Sequence, residues 1–68
     1  MNVNNLPLIL RRPELVAAVG LSRATIDRLE RAGDFPRRFT IIPGGRAVGW
    51  SGAEVASWVE SRTTSRPG

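Results

Sequence analysis

The chain has 68 residues, a formal net charge of +4 and a sequence pI near 11.6, and it contains no cysteine and no histidine. A domain of this size hides only about 60% of the surface that its unfolded chain exposes, which leaves no room for an enclosed substrate chamber. Disulfides, thiolate nucleophiles, the commonest metal ligand and the commonest general base are all missing. We therefore expect no enzyme activity, no catalytic residue, no metal and no cofactor.

All ten basic residues are arginines. The planar guanidinium suits phosphates and guanine edges, so this choice favours a nucleic-acid partner, although a solvated basic face is the alternative. The longest apolar run near the start, Leu8-Ile9-Leu10, is far shorter than a signal-peptide core or a membrane span, and it is predicted to be a short extended segment on the core. We expect a soluble, cytoplasmic protein with no membrane partner and no small-molecule ligand.

The chain opens with an arm and a short helix. Residues 1–7 contain three asparagines and a proline without periodicity, which predicts a flexible arm. Pro13 needs no backbone donor in a first helical turn, and the Glu14 carboxylate opposes the positive end of the helix dipole. Gly20 can end the helix in a left-handed conformation. These signals predict a helix over residues 13–19.

A second helix is predicted over residues 23–32. The Ser22 hydroxyl is a good N-cap, and Gly33 supplies the C-terminal stop. Apolar residues recur at helical spacing, so the two helices can pack together across the glycine turn. The residues expected at this contact are Leu15, Val19, Leu21, Ile26 and Leu29.

A hairpin and a third helix complete the predicted domain, which covers residues 8–62 and leaves a disordered tail at 63–68. Apolar and polar residues alternate on both sides of the Pro43-Gly44-Gly45 turn, which indicates a small hairpin. Ser51 and Glu54 form a capping box for a helix over residues 52–61. The spacing of apolar residues places Trp50 and Trp58 on the inward side of the domain. We therefore expect both side chains to be buried in the core rather than stacked on DNA bases.

Two short helices joined by a tight turn have the plan of a helix-turn-helix, whose second helix enters the major groove of double-stranded DNA. An arginine near its start can bind a guanine bidentately, whereas Arg31 lies further along and is expected on a phosphate. Asp27 would be repelled by phosphates unless it meets a cytosine amino group or, as we prefer, orients Arg23 or Arg31 by an intrahelical ion pair. The alternative is an ordinary helical hairpin with solvated arginines. The candidate DNA-binding residues of this helix are Ser22, Arg23, Ala24, Thr25, Asp27, Arg28 and Arg31.

The basic hairpin beside these helices is typical of a wing. Arg46, after the glycine pair, is expected in an adjacent minor groove, where the negative potential favours arginine. Arg37 and Arg38 at the base of the hairpin, and Arg11 or Arg12 at the first helix, are expected on phosphates. The alternative is that Arg46 only keeps the hairpin edge soluble. If about five arginines contact phosphates, the logarithm of affinity falls with the logarithm of salt concentration at a slope of about −4.5.

Two segments of the sequence resemble AlpA-like phage and prophage regulators, which are relatives of the excisionases and of the DNA-binding half of MerR-type regulators. The segments are LSRATIDRLERAGDFPRRF and, after it, GRAVGWSGAEVASWVESR. The pairing of GDFP with GRAVGW before a capped helix is more specific than the helix-turn-helix pattern alone. The resemblance implies a winged helix-turn-helix domain with its recognition helix at residues 22–32 and its wing at residues 37–50. The predicted fold class is mainly α with a small β-hairpin, in the order helix, helix, hairpin, helix.

The resemblance also implies two tasks: regulating a promoter, often of an integrase or excision gene, or acting as an excisionase that bends DNA and directs an integrase towards excision. The implied partners are double-stranded DNA, an integrase, and further copies bound cooperatively to repeated sites, because one module buries only about 600–1,000 Å² on DNA. The chain ends soon after Trp58, so a ligand-sensing regulator of MerR type is not expected. The alternative from another class is a small adaptor that binds an integrase or polymerase through the third helix.

Overall fold

The computed structural model describes residues 6–64. Within them the chain is mainly helical with a small antiparallel sheet, which confirms the predicted fold class and is compatible with a winged helix-turn-helix. The short extended segment predicted before the first helix is a strand of this sheet, although its pairing was not predicted. The observed elements are β1 (Ile9–Leu10), α1 (Arg12–Val19), α2 (Arg23–Arg31), β2 (Phe39–Thr40), β3 (Val48–Ser51) and α3 (Gly52–Thr64).

The sheet is built around β3, which pairs antiparallel with β1 on one side and β2 on the other. Leu10 lies opposite Trp50, and Phe39 lies opposite Gly49. The segment predicted as extended is therefore the third strand of the sheet. A two-residue strand has no period of its own, so only its pairing with β3 defines it.

The caps of α1 and α2 follow the sequence signals closely. The Glu14 carboxylate accepts a 2.8 Å hydrogen bond from the backbone N–H of Arg11, and α1 starts one residue before the predicted position. Gly20 ends this helix at φ 72°, in the left-handed region that favours glycine. The Ser22 hydroxyl accepts a 3.2 Å bond from the backbone N–H of Thr25, which confirms the predicted N-cap.

The core confirms the predicted packing of α1 on α2, but one of the two tryptophans is less buried than predicted. Trp50 is completely buried, as expected. Trp58 is only half-buried: its ring meets Phe35 edge-on at 4.8 Å, and its indole N–H donates to the Asp34 carbonyl at 2.7 Å. Three residues predicted at the α1–α2 contact, Val19, Leu21 and Leu29, are half-buried against the core. The buried core consists of Leu10, Leu15, Ile26, Phe35, Trp50 and Val55.

Helix α3 is longer than predicted. The Ser51 hydroxyl accepts a 3.2 Å bond from the backbone N–H of Glu54, as the capping box requires, but the helix continues to Thr64 rather than ending at Ser61. The first part of the predicted tail is therefore helical. Residues 65–68, and residues 1–5 of the predicted arm, lie outside the described residues. None of the helices described within residues 6–64 is long and apolar enough to cross a membrane.

The first turn of α3 touches the chain that precedes β1. The backbone N–H of Gly52 donates a 2.9 Å bond to the carbonyl of Leu8. A Cβ atom added at Gly52 would lie 1.8 Å from the carbonyl oxygen of Pro7, a distance that no side chain can occupy. Glycine is therefore required here to let the backbone of the N-terminal segment approach α3.

We expect Gly52→Ala to lower the free energy of unfolding by about 3 kcal/mol, at the upper end of overpacking effects, because backbone atoms must move apart. Urea denaturation followed by circular dichroism measures the loss. Ala53→Ser, at the exposed next position, is the matched control and should change stability little. An unchanged urea midpoint for Gly52→Ala would contradict the close approach.

Candidate nucleic-acid interface

The outer face of α2 carries most of the residues predicted to meet DNA. The helix turns Ile26 fully into the core and leaves Arg23, Ala24, Arg28 and Arg31 exposed. Ser22 and Thr25 start the helix together, because the Ser22 hydroxyl donates a 3.0 Å bond to the Thr25 hydroxyl in addition to its cap. The face available to a partner is thus formed by three arginines and one alanine.

Asp27 corrects a prediction. Its carboxylate does not pair within the helix with Arg23 or Arg31; instead, Oδ1 accepts a 3.0 Å bond from Arg12 and a 2.6 Å bond from Arg38. Arg12 belongs to α1, and Arg38 immediately precedes β2. Partners 15 and 11 residues away in the sequence are brought together by the fold, whereas sequence spacing identifies only partners on the same helix.

Glu30 extends this cluster into a network of Arg12, Asp27, Glu30 and Arg38, here called the ion-pair network. One Glu30 oxygen accepts the Arg38 backbone N–H at 2.6 Å, and the other accepts its Nε–H at 2.9 Å. Arg38 thereby binds Asp27 and Glu30 at once, and it fixes the start of the hairpin to α2. Two arginines face two carboxylates, so the network is neutral overall.

The buried indole of Trp50 supports both arginines of the network. The guanidinium carbons of Arg12 and Arg38 lie 4.8 Å and 5.1 Å from the ring centroid, within the range of cation–π attraction. The Trp50 Nε1 and Arg12 Nη1 atoms are buried and have no hydrogen-bond partner. The tryptophan of β3 therefore holds the two guanidiniums in place from beneath, while the carboxylates of α2 orient them.

The arginines keep both carboxylates ionised. Desolvation raises the pKa of Asp27, but hydrogen bonds from Arg38 and Arg12 outweigh it, so that the pKa lies below its ordinary value. Desolvation likewise raises the pKa of Glu30, and the side-chain and backbone bonds from Arg38 lower it below the ordinary value. The bond to Glu30 raises the pKa of Arg38. Within residues 6–64, no group of three acidic, histidine or cysteine side chains could hold a metal ion.

The wing is a tight hairpin whose loop exposes Arg46. The Ile41 N–H donates to the Ala47 carbonyl at 2.9 Å, and the Gly45 N–H donates to the Ile42 carbonyl at 2.8 Å. Gly44 completes the turn at φ 79°, a backbone conformation that most residues avoid. Arg46 follows this turn and is exposed, as the sequence predicted for a residue at the wing tip.

Two surface hollows near α2 and the base of the hairpin share Arg38 in their linings. The larger, of about 430 Å³, is lined by Asp27, Glu30, Arg31, Arg37 and Arg38. The smaller, of about 220 Å³, is here called the arginine hollow, and it is lined by Arg11, Arg12, Pro13, Arg23, Arg38, Val48 and Trp50. Apart from Arg28, the arginines predicted to contact DNA from α1, α2 and the base of the wing therefore line one or both of these hollows. Arg28 and Arg46 lie outside both linings.

Sequence reasoning missed Glu30 and the role of Trp50 as a support for guanidiniums. Glu30 lies three residues after Asp27, so both carboxylates project from neighbouring positions on α2. That spacing was a usable signal for a second acidic partner. The burial of Trp50 was predicted, but its contact with two arginines depends on the packing of β3 against α1 and is invisible in the sequence.

The family model described as Prophage CP4-57 regulatory protein (AlpA) matches residues 8–63. The chain belongs to this family. It is also 42% identical over 57 residues to the "Uncharacterized protein ORF88" of Enterobacteria phage P4. That match covers 84% of this chain and 62% of the phage protein, so the chain spans less than two thirds of the relative. The match to the AlpA family includes α2 and the wing, and it confirms the resemblance seen in the sequence.

The ion-pair network makes stability depend on acid pH. Because the folded-state pKa values of Asp27 and Glu30 lie below their ordinary values of 3.8 and 4.5, the network stabilises the fold above that range and ceases to do so as pH falls through the folded-state values. We expect the stability difference between the unmodified protein and Glu30→Gln to be largest near neutral pH and to shrink below about pH 4. Urea midpoints across this range measure it.

The matched control is Glu54→Gln, which removes an exposed carboxylate outside the network. Its stability difference should be small at every pH. A Glu30→Gln difference that did not change with pH would show that the bonds to Arg38 do not favour the ionised carboxylate.

Proposed function

We propose that this AlpA-family chain is a sequence-specific double-stranded DNA-binding protein without catalytic activity. The observation that supports the proposal is a set of exposed arginines on α2, at the hairpin and before α1, outside the ion-pair network. Their charge is not cancelled by the carboxylates of α2, because those carboxylates already bind Arg12 and Arg38. The six arginines are Arg11, Arg23, Arg28, Arg31, Arg37 and Arg46.

In this proposal α2 enters the major groove. Arg23 and Arg28 flank Ala24 on the exposed face, where a guanidinium can bind a guanine edge and the alanine methyl can meet a thymine methyl. Arg31, near the end of the helix, contacts a phosphate. Asp27 lies on the same face, but its charge is balanced by two guanidiniums, so it does not repel the DNA backbone.

The wing supplies the second contact. Arg46 reaches into the adjacent minor groove, and Arg37 at the wing base and Arg11 before α1 meet phosphates. Arg12 and Arg38, which the sequence suggested as phosphate contacts, act first as positioning residues because Asp27 and Glu30 orient their guanidiniums. Arg38 thereby fixes the distance between the recognition helix and the wing.

Two tasks fit such a module. As a regulator, the protein occupies a promoter, and as an excisionase it occupies neighbouring sites, bends the DNA and meets an integrase. One small module has modest affinity, so copies binding cooperatively to repeated sites serve either task. A bend assay with the binding site placed at different positions in a fragment separates them, because a large bend supports the excisionase and a straight complex supports the regulator.

A third surface hollow is a candidate binding site for a protein partner, as the adaptor alternative requires. It measures about 400 Å³ and lies between residues 6–8 and α3. Leu8 at its rim is 89% exposed, an unusual placement for a large apolar side chain. No arginine lines this hollow, so the loss of exposed arginines should not weaken the binding of a protein partner here. This difference gives the adaptor alternative a direct test.

We expect the double variant Arg28→Gln/Arg46→Gln to lose retention on double-stranded DNA, by at least tenfold in affinity, because each base contact contributes about 1–3 kcal/mol. Electrophoretic mobility shift at fixed salt measures it. Arg62→Gln removes one positive charge from α3, beside Trp58, and should leave retention nearly unchanged. Full retention by the double variant, together with an intact protein complex, would favour the adaptor.

The salt dependence of the DNA affinity measures the number of phosphate contacts. With the three phosphate contacts proposed for Arg11, Arg31 and Arg37, the slope of log affinity against log salt should be about −2.7, whereas five contacts would give about −4.5. Fluorescence anisotropy of a labelled duplex over a series of sodium chloride concentrations gives this slope directly. A slope near zero would show that the exposed arginines do not face the DNA backbone.

A further inference from the structure

We propose that the arginine hollow binds one phosphodiester group of the DNA backbone. The inference rests on the proposed DNA-binding function and assigns a specific site within it. The hollow lies where the first turns of α1 and α2 meet strand β3, and its volume is about 220 Å³. It joins the recognition helix to the wing, so an anion bound there would contact both DNA-binding elements at once.

The charge of the lining favours an anion. Arg11 and Arg23 contribute two guanidiniums that no carboxylate of the ion-pair network balances, Arg12 and Arg38 contribute donors whose charge is balanced, and no carboxylate lines the hollow. The positive ends of the α1 and α2 dipoles add to this potential, because both helices begin at residues of the lining. Arginine does not lose its proton near neutral pH, so the hollow remains positive under all ordinary conditions.

The hollow also has more hydrogen-bond donors than acceptors. Asp27 accepts from only one terminal nitrogen of Arg12, and the other, Nη1, has no partner. The indole Nε1 of Trp50, another lining residue, is also without one. A phosphate brings acceptor oxygens and no obligatory donor, so it suits a lining whose polar side chains, four arginines and the Trp50 indole, are donors only.

The four arginines of the hollow have two different roles in binding. Arg12 and Arg38 are held rigidly against Trp50 by the ion-pair network, so their positions are set before any ligand arrives. Arg11 and Arg23 are exposed at the rim and take no part in that network, so they are free to close on an anion from outside. This assignment moves Arg23 from a base edge to the backbone.

The larger hollow, which shares Arg38 in its lining, does not have these properties. Its lining includes the carboxylates of Asp27 and Glu30 beside its arginines. Those carboxylates would repel a phosphate that approached closely. The larger hollow is therefore less suited to an anion than the arginine hollow, whose lining contains no carboxylate.

The first experiment uses Trp50 as a built-in reporter. In the full chain carrying Trp58→Phe, inorganic phosphate is titrated at constant ionic strength, and the fluorescence of Trp50 is recorded. We expect a saturable change, with a dissociation constant raised about tenfold by Arg11→Gln or Arg23→Gln, since each removes a charge-assisted hydrogen bond. Arg62→Gln, on α3, should leave the titration unchanged, and circular dichroism verifies the fold of every variant.

The second experiment measures the same variants on DNA. Arg11→Gln and Arg23→Gln should each make the salt slope shallower, by about 0.9 in total because they share one phosphate, and each should weaken binding equally on unrelated duplexes. If Arg23→Gln instead changed sequence preference and left the slope intact, Arg23 would read a base, and the proposed site would be wrong.

The two experiments separate failure of the site from failure of DNA binding. DNA binding with an unchanged slope in both variants and no phosphate response would overturn the site and leave the proposed function standing. A saturable phosphate response without any DNA retention would overturn the assignment to a phosphodiester, identify a site for free phosphate, and refute the proposed function. The phosphate response and the shallower slopes together would support the inference.

Discussion

The arrangement of the whole surface depends on the contact between Arg38 and its three neighbours, Asp27, Glu30 and Trp50. The guanidinium bonds to both carboxylates of α2 and lies 5.1 Å from the centroid of the buried indole. Arg12 reaches Asp27 and the same ring from α1. One cluster thus joins α1, α2 and β3 to the residue that precedes β2, which gives α2 and the hairpin a defined spacing in a domain whose described residues include six buried apolar side chains.

The same cluster divides the arginines into two classes. Arg12 and Arg38 are partly covered and matched by carboxylates, so their positions are set by the fold. The exposed arginines of α2, the wing and the start of α1 have charge available to a partner. Acidic residues in the recognition helix, which a simple electrostatic argument would count against DNA binding, instead orient the positive groups next to them.

Local signals predicted the elements well because each depends on near neighbours in the sequence. Ser22 as N-cap, Gly20 as helix terminator and the Ser51 cap of α3 were confirmed, and so was the burial of Trp50. The pairing of β1 with β3, the partners of Asp27 and the partial exposure of Trp58 were not predicted, because each depends on residues far apart in the chain. The set of arginines was identifiable from sequence, but their division into two classes required the three-dimensional contacts.

The most direct test of the account is a footprint of the purified protein, titrated at two salt concentrations, on DNA flanking its own gene and any adjoining integrase gene. The account predicts discrete protected sites that require more protein at the higher salt concentration, since phosphate contacts release counterions. Several evenly spaced sites filled cooperatively would identify an excisionase, and one site over a promoter a regulator. No protection at the lower salt concentration would contradict the central claim that this surface binds DNA.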